Sequence, residues 1–291
     1  MSFYTTDFNK LRQEPGIAPL FEALERGFKK YDIDYYLVGA LARDVWMRGM
    51  NDIKPKRTTG DVDFGILIKD IESFYDLKKY LIEKEGFSPS RDNAFVLIWK
   101  SGLPVDFLPF GAIEKEGKVT VRGTGMTTIY VDGFNEVYEE GMPDVEIEEK
   151  HRFKVCTLPG IVLLKLIAWD DRPEMRREDI TDIADIIKHF YNIFSEIIFE
   201  NYTELLADLE SIDVSSRVLG IEIGNILKRS KRIAERIDNI LKANLNDPEK
   251  CRLANLFASE LEISVEEAVK IIQQIITGIE TSAAYPKQHK L

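Results

Sequence analysis

The sequence predicts an α+β protein: a small mixed sheet with flanking helices in the first half, followed by an all-helical second half. Two patterns carry this reading. Up to about residue 154, short β-prone runs alternate with amphipathic helical stripes, whereas beyond Leu158 apolar residues recur only at helical spacing. The composition permits it: 291 residues with 44% hydrophobic side chains can build one large domain or two ordinary ones. We place the boundary between 1–156 and 157–291.

Leu20, Phe21, Leu24 and Phe28 form one helical stripe over 18–30. Residues 35–38 read as a short buried strand, and Gly39-Ala40 turns it into a helix reaching about Gly49. Residues 51–60 are polar and predict an exposed loop, with Lys54, Lys56 and Arg57 around Pro55. A strand follows over 62–68, then a helix over 71–84 that places Phe74, Leu77 and Leu81 on one side and stops at Gly86. Residues 94–99 and 105–110 read as two strands joined by a hairpin-like turn at Ser101-Gly102-Leu103-Pro104, and 119–121 and 127–131 as two more. In the second half, helices are predicted over 161–169, ended by Pro173, over 177–189 and over 221–241. Asp247-Pro248 reads as an N-cap followed by proline at the first helical position, and Ser264-Val265-Glu266-Glu267 as a capping box opening the last helix. Residues 285–291 read as a loose tail.

The net charge of −11 argues against a surface coated with basic residues for non-specific nucleic-acid binding, but leaves room for a local basic groove. Cys156 and Cys251 sit in apolar or helical contexts and read as reduced core residues, not as a disulfide framework or zinc site. The start Met1-Ser2-Phe3-Tyr4 lacks a basic-then-apolar signal pattern. No apolar run approaches ~18 residues, the length a membrane span needs. Together these predict a cytoplasmic protein with no membrane partner.

The chemistry concentrates on three aspartates. A strand alternates faces with period two, so Asp61 and Asp63 point to one side while Val62 and Phe64 point to the other. Adjacent carboxylates repel unless a cation lies between them, and a hard divalent ion such as Mg²⁺ is their natural partner. Asp106 interrupts an apolar strand, where a lone charge is costly to bury. If that strand lies beside the first, Asp106 completes a site for two Mg²⁺ ions, able to hold the phosphates of an NTP and help deprotonate an attacking hydroxyl. Gly39, having no side chain, lets backbone N–H groups approach a triphosphate at a helix start.

Gly39-Ala40, Thr59-Gly60-Asp61-Val62-Asp63-Phe64 and Val105-Asp106-Phe107 resemble the nucleotidyltransferase superfamily of polymerase-beta type. Leu164-Lys165-Leu166-Ile167-Ala168, Arg172 and Arg177-Glu178-Asp179-Ile180-Thr181-Asp182-Ile183 resemble the lysine and aspartate motifs of the AbiEii-like toxin nucleotidyltransferases. The resemblance covers roughly residues 35–187. It implies a nucleotidyltransferase-type sheet domain before a helical domain, and transfer of a nucleoside monophosphate from an NTP with release of pyrophosphate. It assigns Asp61, Asp63 and Asp106 to Mg²⁺, and Gly39, Ala40, Arg43 and Lys165 to the nucleotide. Asp179 and Asp182, three apart on one helical face, are left to orient Lys165, to fix Arg172 or to contact the acceptor. Such families usually carry Gly-Gly or Gly-Ser where this chain has Gly39-Ala40, so one phosphate contact falls to backbone alone. Gly39-Ala40-Leu41-Ala42-Arg43-Asp44 is also similar to the Gly-Gly-x-x-Arg-Asp element of CCA-adding enzymes.

The acceptor implied is a tRNA, a protein or a small molecule such as a cationic antibiotic. A toxin would bring an antitoxin protein as partner. A catalytically degenerate member of the fold would bind a partner instead. Plainer readings stand beside these. Arg43 and Asp44 can pair on a helix surface, and Asp179 and Asp182 can be solvated helix residues. Lys54, Lys56 and Arg57 either clamp a triphosphate or decorate a loop. The cluster Lys228, Arg229, Lys231, Arg232 and Arg236 is either a solvated helix face or an RNA-backbone site. His151, His189 and His289 show no metal-ligand spacing.

Overall fold

A computed structural model describes residues 4–7, 17–57, 60–243 and 245–285. The expectations for Met1-Ser2-Phe3, for Thr58 and Thr59, and for 286–291 with His289 lie outside the described residues. The chain divides into two compact units, Met1–Tyr138 with Met142–Cys156, and Glu139–Gly141 with Thr157–Leu291.

In order, the chain up to residue 155 contains β1 (Tyr4–Thr6), α1 (Ile17–Lys30), β2 (Tyr35–Val38), α2 (Gly39–Asp44), β3 (Val62–Leu67), α3 (Ile71–Glu85), β4 (Ser88–Pro89), β5 (Val96–Ile98), β6 (Pro104–Phe110), β7 (Lys118–Thr120), β8 (Thr128–Tyr130), α4 (Phe134–Glu140), β9 (Asp144–Ile147) and β10 (His151–Val155). α2 runs on into a π-helical turn, Val45–Gly49. Among the described residues eight strands form one mixed sheet in the order β1-β9-β10-β2-β3-β6-β5-β4, and β7 and β8 pair separately. β2 is antiparallel to β3, β3 parallel to β6, and β5 antiparallel to β6 across the expected turn.

Alternation along β3 and β6 buries Val62, Phe64, Val105 and Phe107 completely. α1 covers this layer: Phe21 packs edge-on against Phe64 and Phe153, and Phe28 against Phe64 and Phe107. α3 is capped by the Asp70 carboxylate, which accepts from the Ser73 N–H. It ends at Gly86, whose φ of +84° suits a residue without Cβ. The sequence reading passed over β1, β4, β9, β10 and α4. β9 and β10 do alternate buried residues with half-buried or exposed ones, but over four and five residues rich in charge, which reads as polar loop.

The second unit is helical: α5 (Leu158–Asp171), α6 (Arg177–Ile193), α7 (Ser195–Asn201), α8 (Ser211–Leu227), α9 (Lys231–Lys242), α10 (Arg252–Leu261) and α11 (Val265–Thr281). Two expectations are corrected. The single helix over 221–241 is two, α8 and α9, because Ser230 takes an extended backbone and its hydroxyl caps α9 at the Ile233 N–H. Asp247-Pro248 opens a turn and not a helix: the Asp247 carbonyl accepts from the Lys250 and Cys251 N–H groups, and α10 starts only at Arg252. The capping box at Ser264 and Glu267 is present. α8 and α11 approach so closely that a Cβ on Gly278 would lie 2.2 Å from the Arg217 carbonyl oxygen. Cys156 and Cys251 are buried and free. No helix among the described residues is long and apolar enough to cross a membrane.

Candidate active site

The β2–β3–β6 ladder brings the acidic residues together. Asp63 and Asp106 are direct partners in the parallel β3–β6 register, so both side chains leave the same face of the sheet. Asp61 lies one pleat repeat before Asp63 and joins them. One carboxylate oxygen from each of the three lies within 4.8 Å of the others, and all three residues are half-buried. Two ligands on opposite sides of an octahedral Mg²⁺ are about 4.2 Å apart, so small rotamer adjustments bring this set to one ion. The donor set is oxygen only, with a formal charge of three minus, which suits a hard divalent cation and no soft one.

Gly39 closes the site from the neighbouring strand. Val38, the last residue of β2, pairs with Asp63. The chain then turns through Gly39 at φ +70°, and a Cβ there would stand 2.2 Å from Asp63 Oδ2 and 2.9 Å from its Cγ. The start of α2 therefore lies against a carboxylate with no room for a side chain. Read from sequence, Gly39 has a single role, access for phosphate; contact with Asp63 is a second.

Ala40 is buried, so its methyl group belongs to the core and only its backbone is available. One plainer reading of Arg43 is corrected: it does pair with Asp44, but not on a helix surface, because its guanidinium is completely buried. Nε and Nη2 donate to Asp44 Oδ1 at 2.9 and 2.6 Å, and Nη2 also donates to the Arg57 carbonyl at 3.0 Å. Arg43 thereby ties down the loop before Asp61. In that loop Lys54 and Lys56 are exposed and Pro55 is buried.

Within the helical unit, Lys165 Nζ lies 2.7 Å from Asp179 Oδ1 and 2.8 Å from Asp182 Oδ2, and all three residues are buried. One turn of α6 thus presents two carboxylates to one ammonium on α5. Of the roles left open for the two aspartates, holding Lys165 is the one these contacts favour. Arg172 is exposed at the end of α5 and its guanidinium makes no ion pair among the described residues. The basic cluster is largely spent: Lys228 donates to Asn225 and the Ser282 carbonyl, Arg229 pairs with Glu140, Lys231 with Glu235, and Arg236 with Asp170 and Asp171. That favours the solvated helix face over an RNA-backbone site.

No family model and no curated protein matches this chain. Among solved structures, it is similar to an antigenic nucleotidyltransferase-like protein from Paracoccidioides brasiliensis, with 12% identity, 72% of this chain and 94% of that one covered, and a TM-score of 0.41. It is also similar to a CCA-adding enzyme in complex with CTP, at 14% identity, 98% and 75% coverage and TM-score 0.35. The Thermotoga maritima CCA-adding enzyme complexed with tRNA matches at 16% identity, 100% and 88% coverage and TM-score 0.28. Likeness at this level transfers no activity, and the functional reading rests on the aspartates.

Proposed function

We propose that this chain is a Mg²⁺-dependent nucleotidyltransferase. The observation that carries the reading is the convergence of Asp61, Asp63 and Asp106 on one sheet face, with the Gly39 backbone pressed against them. The three aspartates would hold Mg²⁺, which when bound neutralises phosphate charge and acidifies the acceptor hydroxyl. Asp61 and Asp63 position the triphosphate, and the N–H groups after Gly39 face it without an intervening side chain. The acceptor oxygen attacks the α-phosphorus, the α–β phosphoanhydride bond breaks, and pyrophosphate leaves. The acceptor proton passes to the Asp106 carboxylate. Positioning and charge neutralisation supply most of the acceleration.

The finer proposal is membership of the AbiEii-like toxin nucleotidyltransferases, with an antitoxin as protein partner. It rests on the motif residues around Lys165, Asp179 and Asp182 and is supported by their mutual contacts. The acceptor then belongs to the set of tRNA, protein and small hydroxylated molecules.

The test is transfer of label from α-³²P NTPs to those acceptors, with pyrophosphate release followed in parallel. Asp61→Asn with Asp63→Asn is expected to abolish both signals while circular dichroism and Tm stay native. Undiminished transfer in the double variant overturns the proposal.

A further inference from the structure

The helical unit holds a second concavity whose chemistry the aspartate cluster does not explain. It has a volume of about 320 Å³ and is bounded by the end of α5, by α9 and by the start of α10. This is at the small end of ligand pockets, which run from roughly 300 to 1,000 Å³. Trp169, Ile240 and Leu253 give it an apolar wall. Trp169 is 7% exposed, yet its buried indole N–H has no hydrogen-bond partner, an arrangement that ordinarily costs free energy.

Two further polar side chains line the same space, Asn239 and Arg252. Both are exposed, and among the described residues neither makes a hydrogen bond or ion pair. Arg252 is also the first residue of α10, a ten-residue helix whose N-cap, Cys251, supplies no side-chain acceptor. The positive end of that helix and its first-turn N–H groups therefore adjoin the cavity. The other guanidinium in the wall, Arg236, is already held by Asp170 and Asp171. The Asp170 carboxylate also lines the cavity and is paired with Arg236, so what is left uncommitted is Asn239, Arg252 and the first-turn N–H groups beside an aromatic and aliphatic surface.

We propose that this cavity binds a small organic oxyanion with a flat apolar body, its phosphate or carboxylate at Arg252 and the α10 N-terminus and its ring against Trp169. Aryl phosphates and nucleoside monophosphates share that chemistry. The site is independent of the transferase reading, since every wall residue belongs to the helical unit.

The experiment uses the full chain in EDTA, which removes metal-dependent binding at the aspartates. Phenyl phosphate, the four nucleoside monophosphates and inorganic phosphate are titrated by calorimetry, and the tryptophan indole ¹⁵N–¹H signals are followed in parallel. Saturable binding of phenyl phosphate or of a monophosphate is expected, with a shift of one indole signal, the one lost in Trp169→Phe. In Arg252→Ala, Kd should rise at least tenfold at unchanged Tm, because Arg252 makes no contact to lose. Preference for phenyl phosphate or for a monophosphate identifies which of the two sources the site takes. The proposal is overturned if no organic probe binds, if Arg252→Ala binds with the same Kd, or if inorganic phosphate binds as tightly as phenyl phosphate. Calorimetry on Arg252→Ala decides the matter even if Trp169→Phe does not fold.

Discussion

Gly39 has to adopt a left-handed backbone and leave room for Asp63 Oδ2, and alanine can do neither without strain. Gly39→Ala should cost about 1–3 kcal/mol of stability and push the Asp63 carboxylate out of the cluster. Mn²⁺ titrations followed by electron paramagnetic resonance should show weakened binding, and native affinity in this variant would separate Gly39 from the metal site. Lys165 calls for a different design, because removing it leaves Asp179 and Asp182 buried side by side. Lys165→Met is expected to lose about 3–5 kcal/mol, the usual cost of breaking a buried ion pair by removing one member. Adding Asp179→Asn and Asp182→Asn should restore most of the Tm. If transfer returns with stability, the lysine was needed only for folding; if it stays absent, the ammonium serves the reaction as the resemblance implies. At this scale the acids were readable from sequence, because charges in apolar strands are expensive. The burial of Arg43 was not, since its partner at the Arg57 carbonyl lies fourteen residues away across an irregular loop.

Elements became readable where local chemistry decides them. α11 opens on a reciprocal pair, the Ser264 hydroxyl accepting from the Glu267 N–H and the Glu267 carboxylate accepting from the Ser264 N–H. Four residues carry that signal. Ser264→Ala should lower stability by about 1 kcal/mol, seen as a Tm fall of a few degrees, with transfer activity unchanged. Where two local signals compete, the reading failed. Apolar residues continue at helical spacing through 221–241, yet Ser230 caps a new helix in the middle. At Asp247-Pro248 the start signal is spent on a turn, and the helix begins four residues after the proline. Strands β9 and β10 are held by pairing with each other and with β1 and β2, so their existence depends on partners distant in sequence. The register that matters most, Asp63 opposite Asp106, is likewise non-local. The sequence supplied both strands and the reason to expect them as neighbours, but only pairing fixes which residues stand opposite.

For the molecule as a whole, the acidic cluster makes stability depend on what is bound. The three carboxylates each place an oxygen within 4.8 Å of the others, and like charges this close favour a bound divalent cation. A ligand that binds only the folded chain stabilises it by mass action, about 2.7 kcal/mol at a hundredfold excess over Kd. Mg²⁺ with the correct NTP should therefore raise Tm more than either alone, because Asp61, Asp63 and Asp106 would hold the ion and the ion would neutralise the phosphate charge. Asp61→Asn with Asp63→Asn removes two of the three carboxylates: the metal-free variant should melt with the native chain and should lose the joint effect of Mg²⁺ and NTP. Scanning the four NTPs in both proteins, with Mg²⁺ and with EDTA, reads donor preference and metal dependence from one observable. A shift that survives in EDTA and in the double variant would place nucleotide binding away from the aspartates and turn attention to the cavity beside Trp169. A shift confined to the native chain with Mg²⁺ and one NTP would identify the donor and leave the acceptor as the next quantity to measure.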